Sequence, residues 1–412
     1  MVSMKVINLV LKIVNDILYF LNNFYIILFL TILIVFYNFL LYLIKDRKSI
    51  KRFKAFKDPD TVSINDLKSL PLVNIVIPAW KEGEIFKGLL NSIQNLSYPN
   101  LEIIVNAGGS EETLEIANSF KKYDNFVILH QKGGADRPSL GKVRALNKCL
   151  DYISKGIVYF IDADSYLTDE ILLRMIHPII NYNEDIVIGA TKPLKSQENI
   201  GLVKYLLIDR TLMLGYKFTR YASENKITGQ NLCLKFDVLK SIGKFTENKK
   251  FSTDRSMGYD LFSKGYRAYT LFDHRHRIHV DYSSTFKEYL NQKTIWMENR
   301  LIFILKSKKL KGLKFLLIFS VSLYLFIFPF LLFINFGLFI IGLLLLLLIY
   351  LKKIRKYIYF KKFVEKEYFS SNSAKYFITL FYYIYMDALI IIRIPFHFVF
   401  FIKNLRHKKL KV

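Results

Sequence analysis

The chain has 412 residues, 52% of them hydrophobic, and a formal net charge of +26. That length allows two or three domains of roughly 150 residues each, and apolar residues this strongly clustered argue against a wholly soluble protein. Cys149 and Cys233 are the only cysteines; they exclude a disulfide framework and a cysteine metal centre and suit a reducing compartment.

Residues 1–23 show helical spacing with Lys12 and Asp16 on a polar side, which predicts an interfacial helix. Residues 24–44 carry no charge and are long enough to span a bilayer. The run is too long for a signal-peptide core, lacks a small-residue cleavage site and enters a basic stretch, so it predicts an uncleaved membrane anchor. Residues 45–70 then form a basic linker, densest between Lys45 and Lys57.

A domain is predicted over 71–283. Leu72 to Pro78 is an apolar strand followed by the loop Ala79 to Gly83, then an amphipathic helix from Glu84 to Leu96. Leu101 to Val105 is a second strand ending in Asn106-Ala107-Gly108-Gly109-Ser110, where the glycines permit close backbone approach and Ser110 can cap the helix Glu111 to Lys122. Phe126 to Leu129 is a third strand, Gly141 to Lys155 a helix, and Ile157 to Ile161 a fourth strand. This alternation describes a parallel α/β sheet with its ligand crevice at the carboxyl ends of the strands.

The fourth strand ends in Asp162-Ala163-Asp164. Two carboxylates there can face one ion if the chain turns after Asp162, and their charge beside an apolar sheet implies a cation. A hard divalent ion, Mg2+ or Mn2+, completed by phosphate oxygens fits that ligand set; a solvated Asp pair in a loop is the plain alternative. Lys142 would supply positive charge beside a metal-bound diphosphate, or simply be a solvated lysine at a helix start.

Further along, Ile227 to Asn231 precedes an apolar-periodic segment from Leu232 to Ile242, and Ser252-Thr253-Asp254 opens a helix closed by Gly265. Asp254 there is either a helix cap or a general base. Residues 198–222 and 284–312 are aromatic-rich, with basic residues on their polar sides, and read as interfacial helices; Gln292 and Trp296 share one face of the second.

Residues 313–351 suit two transmembrane helices joined by a turn near Pro329 to Gly337. A basic loop over 352–375 follows, then a membrane segment with a basic tail over 376–412, either a tilted span kinked at Pro395 or an interfacial element. Basic flanks mark the cytoplasmic side and favour anionic lipid. They place the central domain in the cytoplasm of an integral plasma-membrane protein. No basic recognition helix or zinc pattern accompanies the charge, so nucleic acid is not an expected partner.

In order and spacing, these pieces resemble the membrane-bound family-2 glycosyltransferases, the group that includes cellulose, chitin and hyaluronan synthases. The resemblance covers about residues 70–305. It rests on VNIVIPAWKE, on Gly141-Lys142 through Ala145-Leu146-Asn147, on Asp162-Ala163-Asp164, and on Thr228-Gly229-Gln230-Asn231. Ser252-Thr253-Asp254 matches as well, eleven residues before Gly265-Tyr266-Arg267 when counted from Asp254, as do Gln292 and Trp296 at the ends of a Q-x-x-R-W motif.

The resemblance implies an α/β GT-A (Rossmann-like) cytoplasmic catalytic domain with transmembrane and interfacial helices. It implies an inverting, metal-dependent transfer from a UDP- or GDP-sugar to a hydroxyl of a glycan or lipid-linked acceptor. Asp254 would be the catalytic base, and Asp162 and Asp164 the ligands of Mg2+ or Mn2+. Donor contacts would come from Pro78, Ala79, Glu82, Gly109, Lys142 and Asp162, and acceptor contacts from Gly229, Gln230, Asn231, Gln292 and Trp296.

The chain departs from the pattern in three places: Ala107 and Gly108 replace paired Asp residues, Thr253 replaces a Glu, and Ile295 replaces an Arg that Arg300 could supply one turn on. A polyprenyl-phosphate glycosyltransferase is the rival reading, although its anionic acceptor needs no base. A catalytically silent assembly subunit is the alternative from another class.

Overall fold

The computed structural model describes residues 11–12, 24–55, 62–131, 138–197, 200, 202–203, 206, 220–222, 227, 229–245, 253–271, 274–294, 296, 319–359, 384–385 and 387–392. The chain divides into two compact units. Met1–Lys48, Lys293–Ile358 and Ser371–Val412 form one, and Ser49–Gln292 with Tyr359–Ser370 form the other.

The second unit is built on an eight-stranded sheet in the order β3-β2-β1-β4-β9-β6-β10-β8. Its strands are β1 (Val73–Trp80), β2 (Leu101–Gly108), β3 (Phe126–His130), β4 (Ile157–Ile161), β6 (Ile186–Ile188), β8 (Tyr221–Ala222), β9 (Asn231–Lys235) and β10 (Ala268–Thr270). A smaller sheet sets β11 (Ile278–Val280) between β5 (Ser165–Tyr166) and β7 (Thr191–Pro193). Strand β1 pairs in parallel with both β2 and β4, whereas β9 runs antiparallel to β4 and β6.

Strands buried on both faces require near-continuous apolar runs, and β1 supplies one: Val73, Ile75, Val76 and Ile77 are wholly buried. Each such side chain contributes about 1.5–3 kcal/mol through burial. The helices of this unit relevant to the site are α2 (Glu84–Gln94), α3 (Glu111–Asn118), α4 (Pro138–Leu150), α5 (Asp169–Asn181), α6 (Phe236–Ile242) and α7 (Thr253–Ser263), α1 being the helix Phe24–Ala55. One core cluster joins Val76, Ile104, Val158 and Phe160 of the sheet to Val143, Leu146 and Cys149 of α4 and to Met257 and Leu261 of α7.

Two boundaries differ from expectation near the crevice. Ala79 and Trp80, expected in a loop, continue β1, and Asn106 to Gly108 continue β2, because the two strands stay in register through Trp80↔Gly108. The segment Leu232 to Ile242 divides into the antiparallel strand β9 and the helix α6. Turning β4 toward α4 requires Gly156, which adopts φ +90; a Cβ there would lie 2.2 Å from the Leu72 carbonyl oxygen.

Phe24–Ala55 is one 32-residue helix that continues past the apolar run into the expected basic linker, and the boundary between the two units falls within it, after Lys48. Residues 319–327 are helical, Phe328–Phe333 forms a 3-10 turn, and α8 (Phe336–Tyr359) follows, which is the helix–turn–helix expected there. Leu325, Phe328 and Leu346 pack with Ile384 and Ala388. Among the described residues no helix is long and apolar enough to cross a membrane, so the structure by itself does not carry the expected spans. The expected interfacial helix over 1–23 apart from residues 11–12, nearly all of 198–219, Ile295, Arg300 and residues 393–412 lie outside the described residues.

Candidate active site

The carboxyl ends of β1, β2 and β4 meet over α4. After Ile161 the chain turns through Ala163 and Asp164 before entering β5, which is the geometry that brings Asp162 and Asp164 to one corner. Lys142, in the first turns of α4, places its Nζ 2.5 Å from Asp162 Oδ1. A small cavity of about 10 Å³, lined by Pro78, Lys142, Leu146, Asp162, Gly229 and Met257 together with Phe160 and Ile161, lies at this point. A broader hollow beside Gln94, Tyr98, Lys122 and Asn125 lies near the amino end of β2. It gathers no comparable chemistry, which leaves the carboxylate corner as the candidate site.

Helix α4 is anchored from three sides. Gln131 Nε2 donates to the Gly141 carbonyl at 3.1 Å, buried Asn106 Nδ2 to the Ala145 carbonyl at 3.2 Å, and Asn147 exchanges two hydrogen bonds with the Phe245 backbone. Lys142 therefore projects from a fixed support.

Glu82 is held by a buried hydroxyl. Its N–H donates to Thr113 Oγ1 at 2.7 Å, and the Thr113 hydroxyl lies 2.7 Å from both the Glu82 carbonyl and Ser110 Oγ. Ser110 caps α3 as expected, accepting from the Thr113 N–H. Burial raises the Glu82 pKa above the ordinary range, reinforced by the negative charges of Asp162 and Asp281; the Trp80 backbone N–H and Lys142 oppose that rise.

Beside this loop, Gly109 adopts φ +89, and a Cβ on it would lie 2.7 Å from Trp80 Cδ2. The indole thus rests on the Gly108–Gly109 backbone, with 39% of the Trp80 surface still exposed. Ala107 is buried and Gly108 sits under the ring edge, so the bulk at Trp80 and the missing side chains at 108 and 109 are complementary.

Asp281 was not anticipated. It follows β11, and its N–H donates to the Asp164 carbonyl at 2.9 Å, extending the antiparallel β5–β11 pairing by one residue. Gln197 Nε2 donates to Asp281 Oδ1 at 2.6 Å and to the Tyr282 carbonyl at 2.9 Å, while its Oε1 accepts from the Tyr282 N–H. The residue type was visible in the sequence, but only strand pairing brings position 281 to position 164.

Of the expected acceptor residues, Gly229 lines the cavity and Gln230 is half-buried beside it in sequence. Asn231 is a correction: its side chain is fully buried and engaged. Its Oδ1 accepts from Tyr159 at 2.8 Å, and its Nδ2 donates to the Ala190 and His276 carbonyls at 2.8 and 3.0 Å. It joins the two sheets and has no polar atom left for an acceptor.

Asp254 lies in the first turn of α7, three residues before the cavity-lining Met257; its side chain, like Thr228 and Ser252, lies outside the described residues. Gln292 Oε1 accepts from Ser283 Oγ at 3.1 Å. Trp296 is helical in the other unit, with Lys293 Nζ 5.9 Å from its ring centroid.

Among the described residues no group of three or more metal-ligating side chains forms a closed cage. Mg2+ characteristically uses one or two carboxylates and completes its shell with substrate phosphates and water, so the donor chemistry of Asp162 and Asp164, two residues apart at the end of β4, fits such an ion. Cys149 and Cys233 are free and buried, and burial pushes the Cys149 thiol up to about 12, so neither offers a thiolate.

The family model described as Glycosyl transferase family group 2 matches residues 157–391, and that described as Glycosyl transferase family 2 matches residues 74–233. A poly-beta-1,6-N-acetyl-D-glucosamine synthase of Staphylococcus aureus (strain COL) is 23% identical over 222 residues, 52% of this chain and 51% of that protein. The glycosyltransferase GlyA of Streptococcus pneumoniae serotype 4 is 25% identical over 118 residues, 28% of this chain and 16% of that protein. This chain spans about half the length of the synthases it matches. Among solved structures, the mannosyltransferase PcManGT from Pyrobaculum calidifontis, in complex with GDP-Man and Mn2+, aligns with a TM-score of 0.45 at 17% identity, covering 65% of this chain and 72% of that one. S. aureus TarS 1-349 in complex with UDP-GlcNAc aligns with a TM-score of 0.41 at 15% identity, covering 59% of this chain and 69% of that one.

Proposed function

The chain belongs to glycosyl transferase family group 2, and from that premise we propose an inverting GT-A glycosyltransferase that transfers a sugar from a UDP- or GDP-sugar to a hydroxyl of a glycan or lipid-linked acceptor. The observation that carries this reading is the Lys142–Asp162 pair at the cavity where β4 ends and turns to Asp164.

Asp162 and Asp164 would hold Mg2+ or Mn2+, which when bound neutralises the donor diphosphate and the charge that develops as it leaves. Pro78, Ala79, Glu82 and Gly109 line the donor side, and Lys142 pairs with the diphosphate oxygens. Asp254 takes the proton of the acceptor hydroxyl as that oxygen forms its bond to the anomeric carbon from the far face. The bond from that carbon to the diphosphate breaks, and its electron pair stays on the diphosphate. Gly229, Gln230 and Gln292 orient the acceptor.

The same reading holds the chain at the plasma membrane with its catalytic unit in the cytoplasm. The support is the uncharged stretch 24–44, about 31 Å long as a helix at 1.5 Å per residue, and the outward exposure of Phe29, Ile34, Phe36 and Tyr37 along it. Contiguous apolar exposure of this kind marks contact with lipid or protein.

The test uses protein in lipid with radiolabelled UDP- and GDP-sugars and Mg2+ or Mn2+, wild type beside Asp254→Asn, with product partitioned between water and organic solvent. Label in a hydroxyl-linked glycan or glycolipid, lost in Asp254→Asn, is expected. Label on a lipid phosphate that survives the substitution would replace this reading with the polyprenyl-phosphate one.

A further inference from the structure

We propose that Lys142 is the resident counter-cation of the donor crevice: it occupies Asp162 until a divalent cation arrives together with a nucleoside diphosphate, and then transfers to that diphosphate. The inference rests on the glycosyltransferase reading above and adds to it an order of binding.

The geometry places the ammonium where an incoming ion must go. Lys142 Nζ is 2.5 Å from Asp162 Oδ1, with the two side chains only 32% and 20% exposed. An ion such as Mg2+ sits about 2.0–2.1 Å from its carboxylate oxygens. An ammonium and a divalent cation cannot share one oxygen at such distances without strong repulsion.

The charges facing Lys142 explain why a resident cation is needed. Asp162 touches it, and Glu82 lies within the fields of Asp162, Asp281 and Lys142 together. Partial burial makes several carboxylates costly unless a positive charge accompanies them. Lys142 provides that charge in the donor-free protein.

The exchange needs no movement of the fold. Gln131, Asn106 and Asn147 hold α4 to its neighbours through its backbone or the adjoining chain, so the motion is a rotation of one flexible four-carbon stem. A diphosphate offers the displaced ammonium a new anionic partner, whereas a cation arriving alone leaves it stranded between like charges. Cation and nucleotide are therefore linked, and the linkage is reciprocal.

The experiment measures free Mn2+ by electron paramagnetic resonance during titration of the full chain in lipid, alone and with UDP or GDP. Wild type, Lys142→Gln, Lys142→Arg, Lys148→Gln and Asp164→Asn are compared, each checked for an unchanged melting temperature. Lys148 is on the same helix with its Nζ on the His130 carbonyl and controls for loss of one positive charge. Lys142→Gln is expected to bind Mn2+ about fivefold more tightly without nucleotide, the scale of one partly exposed ion pair, and to show a correspondingly smaller nucleotide effect. Lys142→Arg, which keeps the charge, and Lys148→Gln are expected within about twofold of wild type. An unchanged or weaker nucleotide-free affinity in Lys142→Gln, or an equal gain in Lys148→Gln, overturns the exchange while leaving the glycosyltransferase reading intact. Absence of Mn2+ binding in wild type even with UDP and GDP, or full binding in Asp164→Asn, overturns both.

Discussion

The hydroxyl of Tyr159 donates to Oδ1 of Asn231 at 2.8 Å, with both side chains wholly buried. Tyr159 comes from the central strand β4, and Asn231 opens β9 beside it. Through its two further bonds to Ala190 and His276, Asn231 ties the main sheet to the start of β7 and to the segment leading into β11.

Asn231→Ala removes a hydrogen bond from the Tyr159 hydroxyl and from the Ala190 and His276 carbonyls, of which Ala190 keeps the Ile278 N–H, and each buried group left unsatisfied costs about 1–3 kcal/mol. A loss of several kcal/mol is expected, seen as a marked fall in melting temperature. Tyr159→Phe is expected to cost about 1–2 kcal/mol. An acceptor KM raised by Asn231→Ala with stability unchanged would restore the acceptor-binding role.

Gly109→Ala is expected to weaken donor binding more than it weakens the fold. The φ of +89 disfavours any L side chain, and the added Cβ would meet the Trp80 indole at 2.7 Å, so the ring must shift. Intrinsic fluorescence of a Trp296→Phe background, which leaves Trp80 as the sole indole, reports that shift; an unchanged spectrum and donor KM would refute it.

Glu82 and His279 give opposite pH dependences. Burial raises the Glu82 pKa, so the native state binds more protons than the unfolded state, and its contribution to stability falls as pH rises above the ordinary carboxylate range. Glu82→Gln is therefore expected to raise the melting temperature at neutral pH while impairing donor binding. A melting temperature that falls at pH 7 and is unaltered at pH 4 would contradict this.

His279 behaves in the other direction. Burial, aided by the charge of Lys192, lowers its pKa from 6.5 to about 4 against the Pro193 carbonyl, which accepts from or faces its Nδ1 at 3.0 Å. A depressed folded pKa means stability present above pH 6.5 and lost as pH falls toward 4, with an upper bound of about 3 kcal/mol. In His279→Gln the slope of stability against pH in that window is expected to flatten. Denaturation midpoints at pH 7, 5.5 and 4.5 check it.

The parallel α/β half of the fold was legible because strands buried on both faces must be continuous apolar runs, and Leu72–Pro78, Leu101–Val105 and Ile157–Ile161 are such runs. Asp162, Asp164, Lys142 and Gly229 stand out as candidates for a related reason: in α/β sheets ligands bind where the strands end. The extension of β1 through Trp80 was not, because Ala79-Trp80 reads with the loop Lys81-Glu82-Gly83 until the register with β2 carries pairing to Gly108. Leu232–Ile242 was legible only as an apolar-periodic run, because such a run fits either a buried strand or a helix, and its pairing with β4 divides it.

The sequence by itself determined the family, the α/β core, the carboxylates at the end of β4 and the apolar segments, since all of these follow from local pattern and spacing. Only the tertiary structure decided that Asn231 is spent inside the core, that Lys142 rests on Asp162 twenty residues away, and that Asp281 stands opposite Asp164. Those are long-range contacts. They depend on which strands pair and on which buried polar groups find partners, and no local pattern of residues encodes either.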